Sequence, residues 1–250
     1  MPDPVEVIAA TGGEPLAICA GAGEAYAVVG PAIGARHRTM AVLRLPAGEA
    51  TIPLCHPGEA VWYVVEGSGV AAPAVGEPLE LDEGTMIHTE PGAAYEIEAG
   101  GADLVLVGGP SPPHPGLAQG EQEEPREGAR VRRFHRDKPA RRVPMISKDA
   151  RLVVFPGVGA ETANMNYVRL QPGEENVAHA HAESEDTIFI LAGRGTVVDH
   201  SHERTLEFAA GDMIHVPPAT RHAVRADQGV EIVSVGGPCP PDSAMLRTAE

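Results

Sequence analysis

Apolar residues come in short bursts along this chain, such as Val61 to Val65 and Thr187 to Leu191, each closed off by Gly, Pro or Asp. Runs of this length, rich in Val, Ile, Leu and Tyr and bounded by turn formers, predict β-strands. No stretch shows the apolar spacing of a long amphipathic helix. An all-β chain is therefore expected.

The strand pattern is written twice. Val28-Val29-Gly30-Pro31-Ala32-Ile33-Gly34-Ala35 returns as Val153-Val154-Phe155-Pro156-Gly157-Val158-Gly159-Ala160, and Gly84-Thr85-Met86-Ile87-His88 returns as Gly211-Asp212-Met213-Ile214-His215. Each copy closes on the same turn, Val107-Gly108-Gly109-Pro110 against Val235-Gly236-Gly237-Pro238, and the offset drifts only from 125 to 128 residues. Self-similarity at this period means two units of one fold. The expected boundaries are residues 1–113 for the first domain, 114–144 for a linker and crossover, and 145–250 for the second. The Pro, Gly, Glu and Arg of the middle segment read as an exposed tether.

Within the second copy, His179, His181, Glu185 and His222 are the candidate metal ligands. Side chains two apart on a strand project the same way, about 7 Å apart, so His179 and His181 share a face. Glu185 and His222 would join them by folding. Imidazoles and a carboxylate suit first-row divalent ions, and four protein ligands leave positions open on a six-coordinate ion. Burying such a cluster with nothing to satisfy it is costly, and an ion relieves that cost.

Composition narrows the partners. A formal net charge of -16 disfavours nucleic acid and anionic membranes, both of which need clustered Lys and Arg. The one basic run, from Arg130 to Arg142, falls in the expected linker. No apolar run approaches the roughly 20 residues of a membrane span, and Met1 to Ala10 carries Asp3 and Glu6 where a signal peptide would be basic. A cytoplasmic location follows as an expectation. Cys19, Cys55 and Cys239 are few, odd in number and far apart, so free thiols are expected rather than a disulfide framework.

The spacing Gly173, His179, His181, Glu185, Gly193, followed by Gly211, Pro217, His222, resembles the two motifs of the cupin superfamily. Ala219 stands where that pattern usually has glycine. The resemblance spans both copies, from about Ala17 to Pro113 and Met145 to Pro241. It implies two tandem cupin barrels, double-stranded β-helices of jelly-roll type, and a homodimer. In the first copy the ligand positions become Leu54, His56, Glu59 and Tyr95, which implies a metal-free barrel in which His56 and Glu59 hydrogen-bond each other. One divalent transition metal per chain is implied in the second barrel: iron, manganese, nickel or zinc, with iron or manganese favoured.

Cupins catalyse many reactions, so function rests on the site. The expectation is a metal-dependent enzyme acting on a small organic acid or other small polar metabolite, most simply a dioxygenase. A redox-neutral isomerase or aminohydrolase, resembling the ureidoglycine aminohydrolases, is the alternative, followed by a non-catalytic binding protein. Thr187, on the face of Glu185 with Phe189 and Leu191, and Tyr167 and Arg221 are the candidate catalytic residues. His88 and His215 recur in both copies and read as structural. His200 and His202 fall in a hairpin turn.

Overall fold

The structure is a computed structural model that describes residues 2–143 and 146–242. Among the described residues strands dominate, joined by short turns and three short 3-10 helices, two of which, Pro31–Ile33 and Pro156–Val158, stand at equivalent places in the repeat. The chain divides into two compact units, residues 12–138 and residues 1–11 with 139–250.

Each unit is a pair of sheets, one of seven strands and one of three, rather than a closed barrel. In the second unit the large sheet runs Glu6–Ala9, Asp212–Val216, Glu185–Ala192, Ile232–Cys239, Met165–Leu170, Asp149–Val154, Arg141–Arg142. Its small sheet runs Arg204–Ala209, Arg194–Asp199, His222–Ala226. The first unit repeats this order with Val131–His135, Thr85–Thr89, Glu59–Glu66, Leu104–Ser111, Met40–Leu45, Glu24–Val29 and Glu14–Pro15. Leu79–Leu81, Gly69–Pro73 and Tyr95–Ala99 form its small sheet.

The expected domain boundaries need correcting at both ends. Residues 1–11 belong to the second unit, where Glu6–Ala9 pairs antiparallel with Asp212–Val216. The segment expected to be linker contributes Val131–His135 to the first unit, paired with Thr85–Thr89. In each case an otherwise open sheet edge gains a strand, which satisfies its backbone donors and acceptors. Val131–His135 is charged and Glu6–Ala9 spans only four residues, so neither stands out as an apolar burst of the length of Val61 to Val65.

Each unit packs its own core between its two sheets. Leu43, Leu54, Trp62, Ile87, Tyr95, Ile97 and Leu106 are fully or almost fully buried in the first. Leu170, Ile190, Val197, Ile214, Val216 and Ile232 do the same in the second. A floor of alternate side chains from the large sheet thus faces the small sheet, and the candidate site lies on that inner face.

Candidate metal centre

Two isolated bridges set the site. His179 pairs with His222 by reciprocal backbone hydrogen bonds of 3.0 and 2.8 Å, and Leu54 pairs with Tyr95 at the same place in the first unit. A turn holding Ala219 in the left-handed region at φ 63° donates its N–H to the His181 carbonyl at 2.7 Å. Gly92, at φ 76°, makes the matching bond to His56. The left-handed conformation is why the motif favours glycine here; alanine tolerates it at a cost of about 1–2 kcal/mol.

His179, His181 and His222 converge, and the carboxylate that joins them is Asp186. One nitrogen or oxygen from each of these four residues lies within 4.8 Å of every other. Asp186 Oδ2 stands 3.8 Å from His181 Nε2 and 3.7 Å from His222 Nε2. Ligands at about 2.1 Å from one ion are at most about 4.2 Å apart, so a small inward swing of the rings completes the shell.

Glu185, expected among the ligands, is not part of this group. It is buried, but alternation along Glu185–Ala192 turns it away from Asp186 and Ile188, which face the cavity. Its counterpart explains its role. Glu59 pairs with Ser111 as Glu185 pairs with Cys239, and Glu59 Oε1 meets His88 Nε2 at 3.1 Å. The expected bond between His56 and Glu59 is therefore absent; His56 meets Tyr95 and His114 instead. In the second unit Glu185 acts electrostatically on His215, the equivalent of His88. The glutamate thus recurs in both copies near the recurring histidine, hydrogen-bonded to it in the first unit and acting on it through charge in the second, whereas the residue particular to the second copy is Asp186, in the place of Ala60. That difference was readable from the repeat.

Each imidazole is oriented through its other nitrogen. His179 Nδ1 meets the Val177 carbonyl at 2.8 Å, His222 Nδ1 the Thr220 carbonyl at 3.1 Å, and His181 Nδ1 an Asp242 carboxylate oxygen at 2.8 Å. Such contacts fix the ring and its tautomer, leaving Nε2 with its lone pair. The Nε2 atoms of His181 and His222 and Asp186 Oδ1 are buried without any hydrogen-bond partner. Burial foremost, with His222 beside it, holds His179 below its ordinary pKa and so favours the neutral ring a metal requires. Burial pushes the Asp186 carboxyl up, but the imidazoles of His222, His181 and His179 more than offset this, and it rests below its ordinary value. Three aligned lone pairs and an ionised carboxylate fit a divalent cation.

The candidate catalytic residues lie elsewhere, for one shared reason. Asn166 and Val168 face the cavity, so Tyr167 between them faces away, with the Arg151 guanidinium 4.8 Å from its ring. Thr187 lies between Asp186 and Ile188 and is buried on the opposite face. Arg221 precedes His222 and is exposed. His202 hydrogen-bonds Asp199 and the Pro2 carbonyl, which fastens the N-terminal segment rather than binding a metal. Sequence reasoning missed Asn164, Asn166, Ser234 and Asp242, which do line the cavity beside His179, His181 and Asp186. The cavity measures about 90 Å³, and its other walls are apolar, with Val143, Leu152, Val168 and Ile188 among them.

Comparison with known proteins agrees with this architecture. Residues 166–236 match the family model described as a cupin domain. No curated protein matches the chain by sequence. Cupin-fold structures match nearly all of it. Oxalate decarboxylase from Lactobacillus farciminis, as a formate complex, superposes with a TM-score of 0.72 at 14% identity, covering 96% of this chain and 86% of that one. Protein Ylba from E. coli gives 0.68 at 15%, covering 94% and 90%. Bacillus subtilis oxalate decarboxylase, in a study of its Mn(II) centres, gives 0.67 at 16%, covering 97% and 78%. At such identities the likeness concerns the fold alone.

Proposed function

We propose that this protein is a metal-dependent enzyme acting on a small organic acid or similarly small polar metabolite, most simply as a dioxygenase, with one iron or manganese ion held by His179, His181, Asp186 and His222. The observation that carries this reading is the pair of buried Nε2 atoms, of His181 and His222, that find no partner among the described residues while each ring's Nδ1 is committed. Uncompensated burial of that kind costs about 1–3 kcal/mol per group. It is relieved by a cation. When bound, the ion supplies Lewis acidity and, if iron or manganese, one-electron chemistry.

The protein's part is to hold three neutral rings and one carboxylate toward a single point and to wall that point with aliphatic side chains that limit water. A redox-neutral reaction is the second reading. It is favoured by Asp242, a second carboxylate on the cavity wall, which is hydrogen-bonded to His181 and would supply a proton acceptor there. The Mn(II) centres of the oxalate decarboxylase fold relative support manganese within either reading. A cytoplasmic homodimer remains part of the proposal, and sedimentation tests its second half.

Elemental analysis of protein from native cells, followed by oxygen uptake with small keto and hydroxy acids, tests the whole. One iron or manganese per chain with substrate-dependent oxygen uptake is the expected result. Metal with product formed and no oxygen consumed would move the assignment to the redox-neutral reading. Protein that holds no metal under any loading condition would overturn both.

A further inference from the structure

The repeat supplies an internal reference for the cavity. Backbone register makes His179 and His222 the equivalents of Leu54 and Tyr95, and Asp186, opposite Pro238, the equivalent of Ala60, opposite Pro110. The same register extends beyond the ligands. Asn166 pairs with Gly236 as Ala41 pairs with Gly108, which makes Asn164 the equivalent of Thr39 and Ser234 the equivalent of Leu106. Ile188 pairs with Gly236 where Trp62 pairs with Gly108, so a smaller side chain replaces the indole on the inner face. The second unit thus carries more polar groups around one space, with smaller side chains at Ile188 and Ser234.

Not every polar residue there is free for a ligand. Asn176 Oδ1 accepts from the Val224 N–H at 2.8 Å, as Thr51 Oγ accepts from the Ile97 N–H at 3.0 Å in the first unit, so Asn176 does the same backbone work as its counterpart. Asn164 donates from Nδ2 to the Pro238 carbonyl at 3.0 Å. Asn166 differs. It is more than nine-tenths buried, it lines the cavity, and its Oδ1 accepts no hydrogen bond. Gly237 makes room for it: a Cβ there would lie 2.7 Å from Asn166 Nδ2. An acceptor left alone among the described residues, in a largely apolar wall beside the candidate metal ligands, is open to a donor from a bound molecule.

We propose that Asn166 is a specificity-determining residue whose side-chain oxygen accepts a hydrogen bond from the hydroxyl of a small 2-hydroxy acid bound at the metal centre. The inference rests on the metal reading above. A swing about χ2, a soft torsion for asparagine, turns the amide oxygen toward the cavity. Size agrees, since a cavity of about 90 Å³ admits a small acid of a few heavy atoms. Charge agrees too. Among the described residues lining the cavity none is cationic, so the metal is the group that attracts a carboxylate, and Asn166 is left to read the neighbouring oxygen. A hydroxyl offers it a proton; a keto oxygen does not.

Lactate and pyruvate isolate that difference, sharing three carbons and a carboxylate. Full-length protein loaded with Mn(II) is titrated with each by calorimetry, alongside the Asn166→Ala and Asn166→Leu variants, with bound manganese measured in all three. Lactate is expected to bind wild type about tenfold more tightly than pyruvate, the scale of one buried hydrogen bond, and both variants to lose that preference while keeping manganese. Alanine is the first unit's own residue at this place, and leucine fills the volume if alanine leaves a void. Equal affinity for the two acids in manganese-loaded wild type, or a preference that survives both substitutions, overturns the proposal. So does loss of manganese from both variants, which makes Asn166 a structural prop. Wild-type protein that takes up no manganese defeats the metal reading itself, and this proposal with it.

Discussion

In the first unit, the space corresponding to the candidate metal site is filled from within. His56 Nε2 lies 3.1 Å from the Tyr95 hydroxyl, which also accepts from Trp62 Nε1 at 2.8 Å, and His56 Nδ1 meets His114 Nδ1 at 3.2 Å. In the second unit His181, the residue at the place of His56, keeps one nitrogen bonded to Asp242 and leaves Nε2 alone among His179, His222 and Asp186. The same imidazole, on the same strand register, has both nitrogens satisfied internally in one unit and only one satisfied among the described residues in the other. Losing ligands is only half of closing such a site; the remaining histidine must also be given partners and the hollow must be filled. Trp62 and Tyr95, both fully or nearly fully buried, do this. The contrast therefore separates groups that are polar for the fold's sake from groups that are polar for a ligand's.

The sharpest way to break the contrast is to exchange the roles of adjacent carboxylates. Asp186→Ala is expected to abolish stoichiometric metal binding, a loss of at least about 100-fold in affinity, because it removes the site's one charged ligand and leaves three neutral rings. Glu185→Gln is expected to leave metal stoichiometry at wild type, with a modest loss of stability from the His215 side. Elemental analysis of the two variants decides. Metal lost from Glu185→Gln and retained by Asp186→Ala would return the assignment to Glu185.

That single-residue difference measures how far the sequence was legible. The all-β class, the twofold repeat, the convergence of His179, His181 and His222, and the replacement of two of these three by Leu54 and Tyr95 in the first copy follow from strand length, spacing and self-comparison. These depend on local pattern, and pattern is printed in the chain. Facing is not. A motif fixes the order of residues, but whether Glu185 or Asp186 points inward depends on where the strand begins its alternation, and a shift of one residue reverses every side chain after it. The misplacement of Thr187 has this cause. The strands Glu6–Ala9 and Val131–His135 escaped notice because an edge strand that donates backbone pairing needs little apolar patterning of its own. Asn166 escaped because one amide on a buried strand carries meaning only beside Ala41.

A smaller effect is expected from opening the filled space. Tyr95→Phe removes the oxygen shared by Trp62 Nε1 and His56 Nε2, leaving buried groups without a partner, and should destabilise the first unit by about 1–3 kcal/mol. Trp62 is the only tryptophan of the chain and lies in that unit, so its fluorescence in denaturant unfolding reports the loss directly. Metal stoichiometry at the second unit should not change. An unfolding midpoint within error of wild type would mean that the hydroxyl contributes nothing to closing the site.

The gentlest test uses acidity. Burial above all, with His114 beside it, lowers His56 to about 3 from the ordinary 6.5, and burial lowers His114 as well. Between these values the unfolded chain binds the His56 proton and the folded unit does not. The stability this buried neutral ring provides is therefore complete above pH 6.5 and is lost as pH falls from 6.5 toward 3. The slope should approach about 1.4 kcal/mol per pH unit for His56, with His114 adding in the same direction. Trp62 fluorescence again follows the first unit. His56→Gln, which does not titrate, should flatten the slope even if it lowers stability throughout. A slope unchanged by that substitution would assign the acid sensitivity to other groups, and the picture of His56 as a ring held neutral by an internally closed site would fail.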